Sequence, residues 1–254
     1  MRGSSKRFSL GTTIGVVFVG MSTTAFAQAP AAPLRAGTDH DNVVGRLAVG
    51  YLGASQVAVG VDGSAIAGGG SIVVSEKTVL APVIGVRYWV SQMVGVDAGL
   101  GFWTEGGEQK ATLPGVATET TDTPSYSAFI VHGGLPLSLA QGKHFSFQVV
   151  PELNLGFASG DSQVGIPMGG TVKADHSGTR FDIGARAGAE LHFGFIAVPE
   201  LSLQGSIGMR FAMTKTKSEV ENSKWERSGS SLGTTVGDNP WNIFTTNVAA
   251  LYYF

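Results

Sequence analysis

Ten ionisable side chains recur on one face of a series of alternating segments: Arg46, Arg87, Asp97, His132, Glu152, Asp182, Arg186, Glu190, Glu200 and Arg210. Two chemistries come within reach of such a set. Carboxylates whose pKa values are driven apart serve as general acid and base. A histidine between a hydroxyl and an acid activates a nucleophile. Spacing tests both. Arg87 and Asp97 flank a turn centred on Gln92, so antiparallel pairing sets them opposite each other on one face. The same counting sets Glu190 against Glu200, where two carboxylates repel and require Arg186, another arginine or a proton. His132 stands mid-segment, with Ser125 and Ser127 displaced toward one end and no catalytic motif around it. The ten therefore read as an ion-pair network filling a narrow interior. No enzymatic activity is expected.

The remaining candidates are weaker. His40, His144, His176 and His192 show no metal-ligand spacing, and the chain has no cysteine for a thiolate site. The glycine runs Gly68-Gly69-Gly70 and Gly99-Leu100-Gly101 lack the following helix that a phosphate loop needs. No cofactor and no metal is expected.

The elements that position these residues are strands. Alternation with a period of two predicts them at 43–54, 78–90, 94–104, 125–137, 145–157, 179–193, 200–212 and 242–254. One face of each is uncharged and apolar, as in Leu80, Pro82, Ile84, Val86, Tyr88 and Val90 of the second. The other face carries the charges among small residues such as Gly95, Gly99, Gly184 and Ser202. Connections alternate between short (91–93, 138–144, 194–199) and long (55–77, 105–124, 158–178, 213–241). Aromatics gather at both strand ends, with Tyr51, Phe102, Phe129, Phe157, Phe181, Phe211 and Phe244 near the long loops. Tyr88, Phe145, Phe193, Tyr252 and Phe254 lie near the short turns. Two aromatic girdles around an aliphatic band, with short turns on one rim, are the pattern of an eight-stranded antiparallel up-and-down transmembrane β-barrel. A soluble barrel with the apolar face inward would instead carry a heavily charged exterior.

The ends agree with export. Arg2, Lys6 and Arg7 precede the apolar run 14–21 and the Ala25-Phe26-Ala27 cleavage pattern, so residues 1–27 read as a signal peptide. Residues 28–41 read as a periplasmic linker and 42–254 as the barrel domain. Removing the three basic residues of the leader from 17 leaves 14 against 19 acidic ones, a net charge of −5 that argues against a nucleic-acid partner. The last strand closes with Val248, Ala250, Tyr252 and Phe254 on one face.

On Gly85-Val86-Arg87-Tyr88-Trp89, on Val94 through Phe102 and on the terminal Ala250-Leu251-Tyr252-Tyr253-Phe254, the chain resembles the small bacterial outer-membrane β-barrel family. That group includes the transmembrane domain of outer membrane protein A. The resemblance covers 43–254 and implies the outer membrane of a Gram-negative bacterium, with outer-membrane lipids around the strands. Tyr252 and Phe254 resemble the signature read by the barrel-insertion machinery. A structural or surface-interaction role is expected, through extracellular loops. The last loop mixes Lys215, Lys217, Glu219, Glu221, Lys224, Glu226 and Arg227 around Trp225, a candidate contact for an extracellular ligand or protein. The alternatives are a small, porin-like pore past Arg87, Glu152 and Arg186, or a lipid-modifying enzyme using His132.

Overall fold

The computed structural model describes residues 37–64, 73–112, 119–165, 171–220, 223–236 and 247–254. The expected signal peptide, Gly68-Gly69-Gly70 and Phe244 lie outside the described residues. Ten strands form one antiparallel sheet: β1 (Leu47–Ser64), β2 (Val73–Trp89), β3 (Gly95–Ala111), β4 (Glu119–Gly134), β5 (Leu137–Gln141), β6 (Phe145–Gly165), β7 (Thr171–Phe193), β8 (Val198–Val220), β9 (Ser223–Thr234) and β10 (Val248–Tyr253). Eight of them close a ring, because β10 pairs with β8 on one side and with β1 on the other. Closure removes the unpaired edges that an open sheet would present.

Alternation sets the two faces. Ile84, Leu100, Phe102, Ile183 and Met209 point outward and are more than half exposed. Arg87, Asp97, Gln148, Glu190 and Gln204 point inward and are buried. The interior also holds an apolar cluster that includes Leu52, Val79, Val83, Ile130 and Leu251, so it is less uniformly small and polar than the sequence suggested.

Most strands outrun their expected bounds. β6 and β7 stay paired up to Gly165 and Thr171, so the segment read as the loop 158–178 consists largely of hairpin arms. The same holds for 105–124 and for 213–241, where β8 pairs with β9 up to Val220 and Ser223. These arms alternate among Ser, Thr, Gly and charged residues with no apolar face, and cross-strand pairing rather than local pattern makes them strands. The expected strand 125–137 is broken at Leu135-Pro136 and resumes as β5. Proline has no N–H to donate there, and its carbonyl accepts from Gly95 N at 2.8 Å instead. β9 and β10 share β8 as partner, β9 along Met209–Val220 and β10 along Leu201–Gly205.

The outer half of the ring is filled by its own wall. The β1–β2 register shifts between Tyr51 and Gly53, and Gly53 has φ +114°, a conformation that favours glycine. Beyond this bulge Val57 and Val59 are 0% exposed, because β1 turns inward against the opposite wall. Its Ala58 carbonyl lies against Gly178 of β7, where any Cβ would collide with it.

The opposite end is closed by a helix where the sequence suggested linker. Helix α1 (Asp39–Val43) begins with a capping box: Asp41 N donates to Thr38 Oγ1 at 3.2 Å, and Thr38 N donates to Asp41 Oδ2 at 2.8 Å. Its acids staple it to the three short turns. Asp41 accepts from Gln92 Nε2 at 2.8 Å; Asp39 meets His144 Nδ1 at 2.7 Å and accepts from Gly194 N at 3.1 Å. His40 and Val43, both 0% exposed, fill the end of the ring.

Candidate functional site

The lower interior is organised by Arg87. β2 and β3 pair so that Arg87 lies opposite Asp97, and the two form a bidentate pair, Nε to Oδ1 and Nη2 to Oδ2, each at 2.7 Å. Nη1 reaches Glu190 Oε2 at 3.1 Å and Nη2 reaches Gln204 Oε1 at 2.9 Å. Glu190 in turn accepts from Ser202 Oγ at 2.6 Å, from Tyr253 Oη at 2.9 Å and from the Gln148 amide. Trp89 Nε1 donates to the Tyr253 oxygen at 3.0 Å. One network thus joins β2, β3, β6, β7, β8 and β10, with the Arg87, Asp97 and Glu190 side chains at 0% exposure. It carries one cation and two carboxylates. With its charges at zero solvent exposure, it suits cross-linking of the wall better than acid–base turnover.

Glu190 does not face Glu200. The β7–β8 turn contains a short 3₁₀ segment, Gly194–Ile196, and the register shifts between His192 and Phe193, which moves Glu190 opposite Gln204. Glu200 instead pairs with Arg46 at 3.6 Å on the lower rim, where both side chains are about a third exposed.

A second group lies farther along the interior. Arg186 donates to Glu152 Oε2 at 2.6 Å and to Ser206 Oγ at 3.0 Å. Asp182 accepts from Arg180 Nε at 2.8 and 2.9 Å, while Arg210 stands 3.9 Å from it. His132 Nδ1 meets Asn154 Oδ1 at 2.7 Å. Ser125 is committed elsewhere, donating to Asp161 Oδ1 at 2.6 Å. Seven residues of extended strand separate it from His132, roughly 24 Å, so the two form no catalytic pair.

At the outer end, Trp225 sits on β9 opposite Ser218 and is 39% exposed. The hairpin that carries it has a charged flank, with Lys224 Nζ 2.6 Å from Glu226 Oε1. The hydrogen bond across that contact raises the Lys224 pKa and lowers that of Glu226, helped next by the Glu226 charge for the lysine and by the Lys215 charge for the glutamate. At the ring closure Tyr252 and Phe254 face outward, 45% and 70% exposed, and Phe254 N donates to Leu47 O at 2.9 Å.

Counting charged residues on the inward face overlooked Gln148, Gln204, Ser202 and Tyr253, which bond the buried ions, and Trp89, which donates to Tyr253. Their inward parity was readable, but their common level along the ring depended on register. The Thr38-x-x-Asp41 spacing was the available signal for α1.

No protein-family model matches the chain, and neither a curated protein nor a solved structure matches it.

Replacing Arg87 with leucine leaves Asp97 and Glu190 buried without their cation. Unfolding in urea should show a loss of about 3–5 kcal/mol, partly recovered by adding Glu190→Gln.

Helix α1 supplies a pH test. Burial pushes the His40 pKa below its ordinary 6.5, against the raising effects of the Gln92 carbonyl, Glu190 and Asp41. The docked helix therefore binds fewer protons than the freed one, so docking is strongest above pH 6.5 and weakens as pH falls through and below that value. Hydrogen exchange at residues 39–43, corrected for intrinsic rates, should be less protected at about pH 5 than at about pH 8. His40→Gln should flatten that difference.

Proposed function

We propose that the chain is an eight-stranded outer-membrane β-barrel whose role is structural or surface-interacting. The outward face carries the proposal. It is an uncharged belt of exposed aliphatic side chains around the ring, while Arg87, Asp97, Glu190 and Arg186 are buried inside. A soluble monomer rarely exposes a contiguous apolar patch beyond a few hundred Å². A closed ring is also one of the two ways a backbone can satisfy its polar groups in lipid. The exposed rings of Phe102, Phe129 and Phe157 toward one end, and of Tyr88, Phe145 and Tyr252 toward the other, support a bilayer between them.

A structural or interaction role is favoured because the interior is largely filled by side chains and by β1, and its ions, Arg210 apart, are bonded to one another. The β8–β9 hairpin supports contact with the surroundings: every described residue of β9 is exposed, Trp225 among them. On this reading the hairpin projects from the cell surface, where a sugar, lipid head group or protein meets the indole.

Two measurements test the proposal. Ile183→Arg should destabilise the chain in lipid vesicles by about 2–4 kcal/mol, whereas Ser228→Arg on β9 should be neutral. Equal tolerance would remove the membrane assignment. Trypsin added to intact cells should cut at Lys224 or Arg227 and spare Lys143 in a short turn. Cleavage at Lys143 alone would reverse the orientation and with it the surface role.

A further inference from the structure

A polar cavity of about 30 Å³ opens in the ring at the level where β9 ends and β10 begins. Ser55, His132, Glu152, Arg186, Arg210 and Asn247 are among its lining residues. It has room for about two water molecules, or for a group of similar size. The charges around it do not balance. Among the described residues in its wall and just beyond it, Arg180, Arg186 and Arg210 meet only Glu152 and Asp182, which leaves one positive charge in excess.

The excess belongs to Arg210. Both oxygens of Asp182 are taken by Arg180 Nε at 2.8 and 2.9 Å, and Glu152 is taken by Arg186 at 2.6 Å. Arg210 is left 3.9 Å from Asp182, beyond hydrogen-bond distance. Its cross-strand neighbours on the inward face are Gly184 and Gly233, which have no side chain to offer it. The Arg210 side chain is nevertheless 28% exposed, so it is open to solvent. The surplus carboxylate of the lower network cannot answer this charge. Glu190 is sealed at 0% exposure and already bonded to Arg87, Gln148, Ser202 and Tyr253.

We propose that this cavity is a binding site for a small carboxylate, held by the Arg210 guanidinium. A guanidinium presents a planar fork of donors that matches a carboxylate's two oxygens. An anion of single charge restores neutrality among the five groups, and a carboxyl group fits the volume. His132, held through Nδ1 by Asn154, supplies part of the wall. The inference rests on the interior geometry and holds whether or not the outward face meets lipid.

The test uses the full chain refolded in detergent micelles, with sodium formate as the probe. Formate should raise the melting temperature saturably over sodium chloride at equal ionic strength. Arg210→Gln should lose that rise. Arg210→Lys, which keeps the charge without the fork, should need about tenfold more formate for half the effect, and it serves if the glutamine variant does not fold. Ser55→Asp places a tethered carboxylate in the cavity and should abolish the response while melting near the formate-saturated value. A formate effect that is absent in the unaltered chain, or that survives Arg210→Gln, overturns the proposal. So does a rise with inorganic phosphate and none with formate.

Discussion

Sealed from solvent, the Arg87 guanidinium must place five N–H donors within a ring too narrow to hydrate them. All five find acceptors: two on Asp97 and one each on Glu190, Gln204 and Gln148, the last at 3.4 Å. Those acceptors come from four strands besides its own, β3, β6, β7 and β8, so the arginine fixes how far these strands have slid past one another. A slip of two residues in β7 would preserve the inward and outward faces yet carry Glu190 away from Arg87. Buried ions of this kind add little net stability against an apolar core of the same shape. What they supply here is register, and the ring closes only where register is right.

Closure has a second consequence on the far side of the bulge at Gly53. β9 pairs with β8, and β1 turns into the interior instead of continuing along the wall. An inward edge would leave its carbonyls dry, and close approach to a glycine backbone, as at Gly178, is what lets Val57 and Val59 pack tightly. At the opposite rim α1 reaches the three short turns through Asp39 and Asp41, tying together loops that are remote in sequence. The interior is therefore packed from both ends, and the polar cavity is left between the two plugs.

That cavity contrasts with the Arg87 network. Below, every ion is dry and fully bonded; above, Arg210 keeps solvent contact and an incomplete set of partners. The difference is one of neighbours. Glutamines at Gln148 and Gln204 supply acceptors in the lower group, whereas glycines stand beside Arg210 in the upper one. Rigid cross-linking and an open coordination shell thus occur in the same interior.

The sequence by itself determined which face of each strand points inward, because side-chain direction alternates with every residue and needs no knowledge of neighbours. It also determined the Arg87–Asp97 pairing, since a short turn of three residues leaves little freedom of register. Where a turn was irregular the counting failed: the 3₁₀ segment after Phe193 moved Glu190 away from Glu200 and onto Gln204. The polar hairpin arms beyond residues 104, 157 and 212 were silent, because an alternation of Ser, Thr and Gly has no apolar face to reveal it. Only the tertiary structure decided that α1 plugs the ring, that β1 turns inward past Gly53, and that Arg210 stands beyond hydrogen-bond distance of Asp182. Each of those outcomes depends on contacts between segments tens of residues apart, and spacing along one chain does not encode the distance across a closed ring.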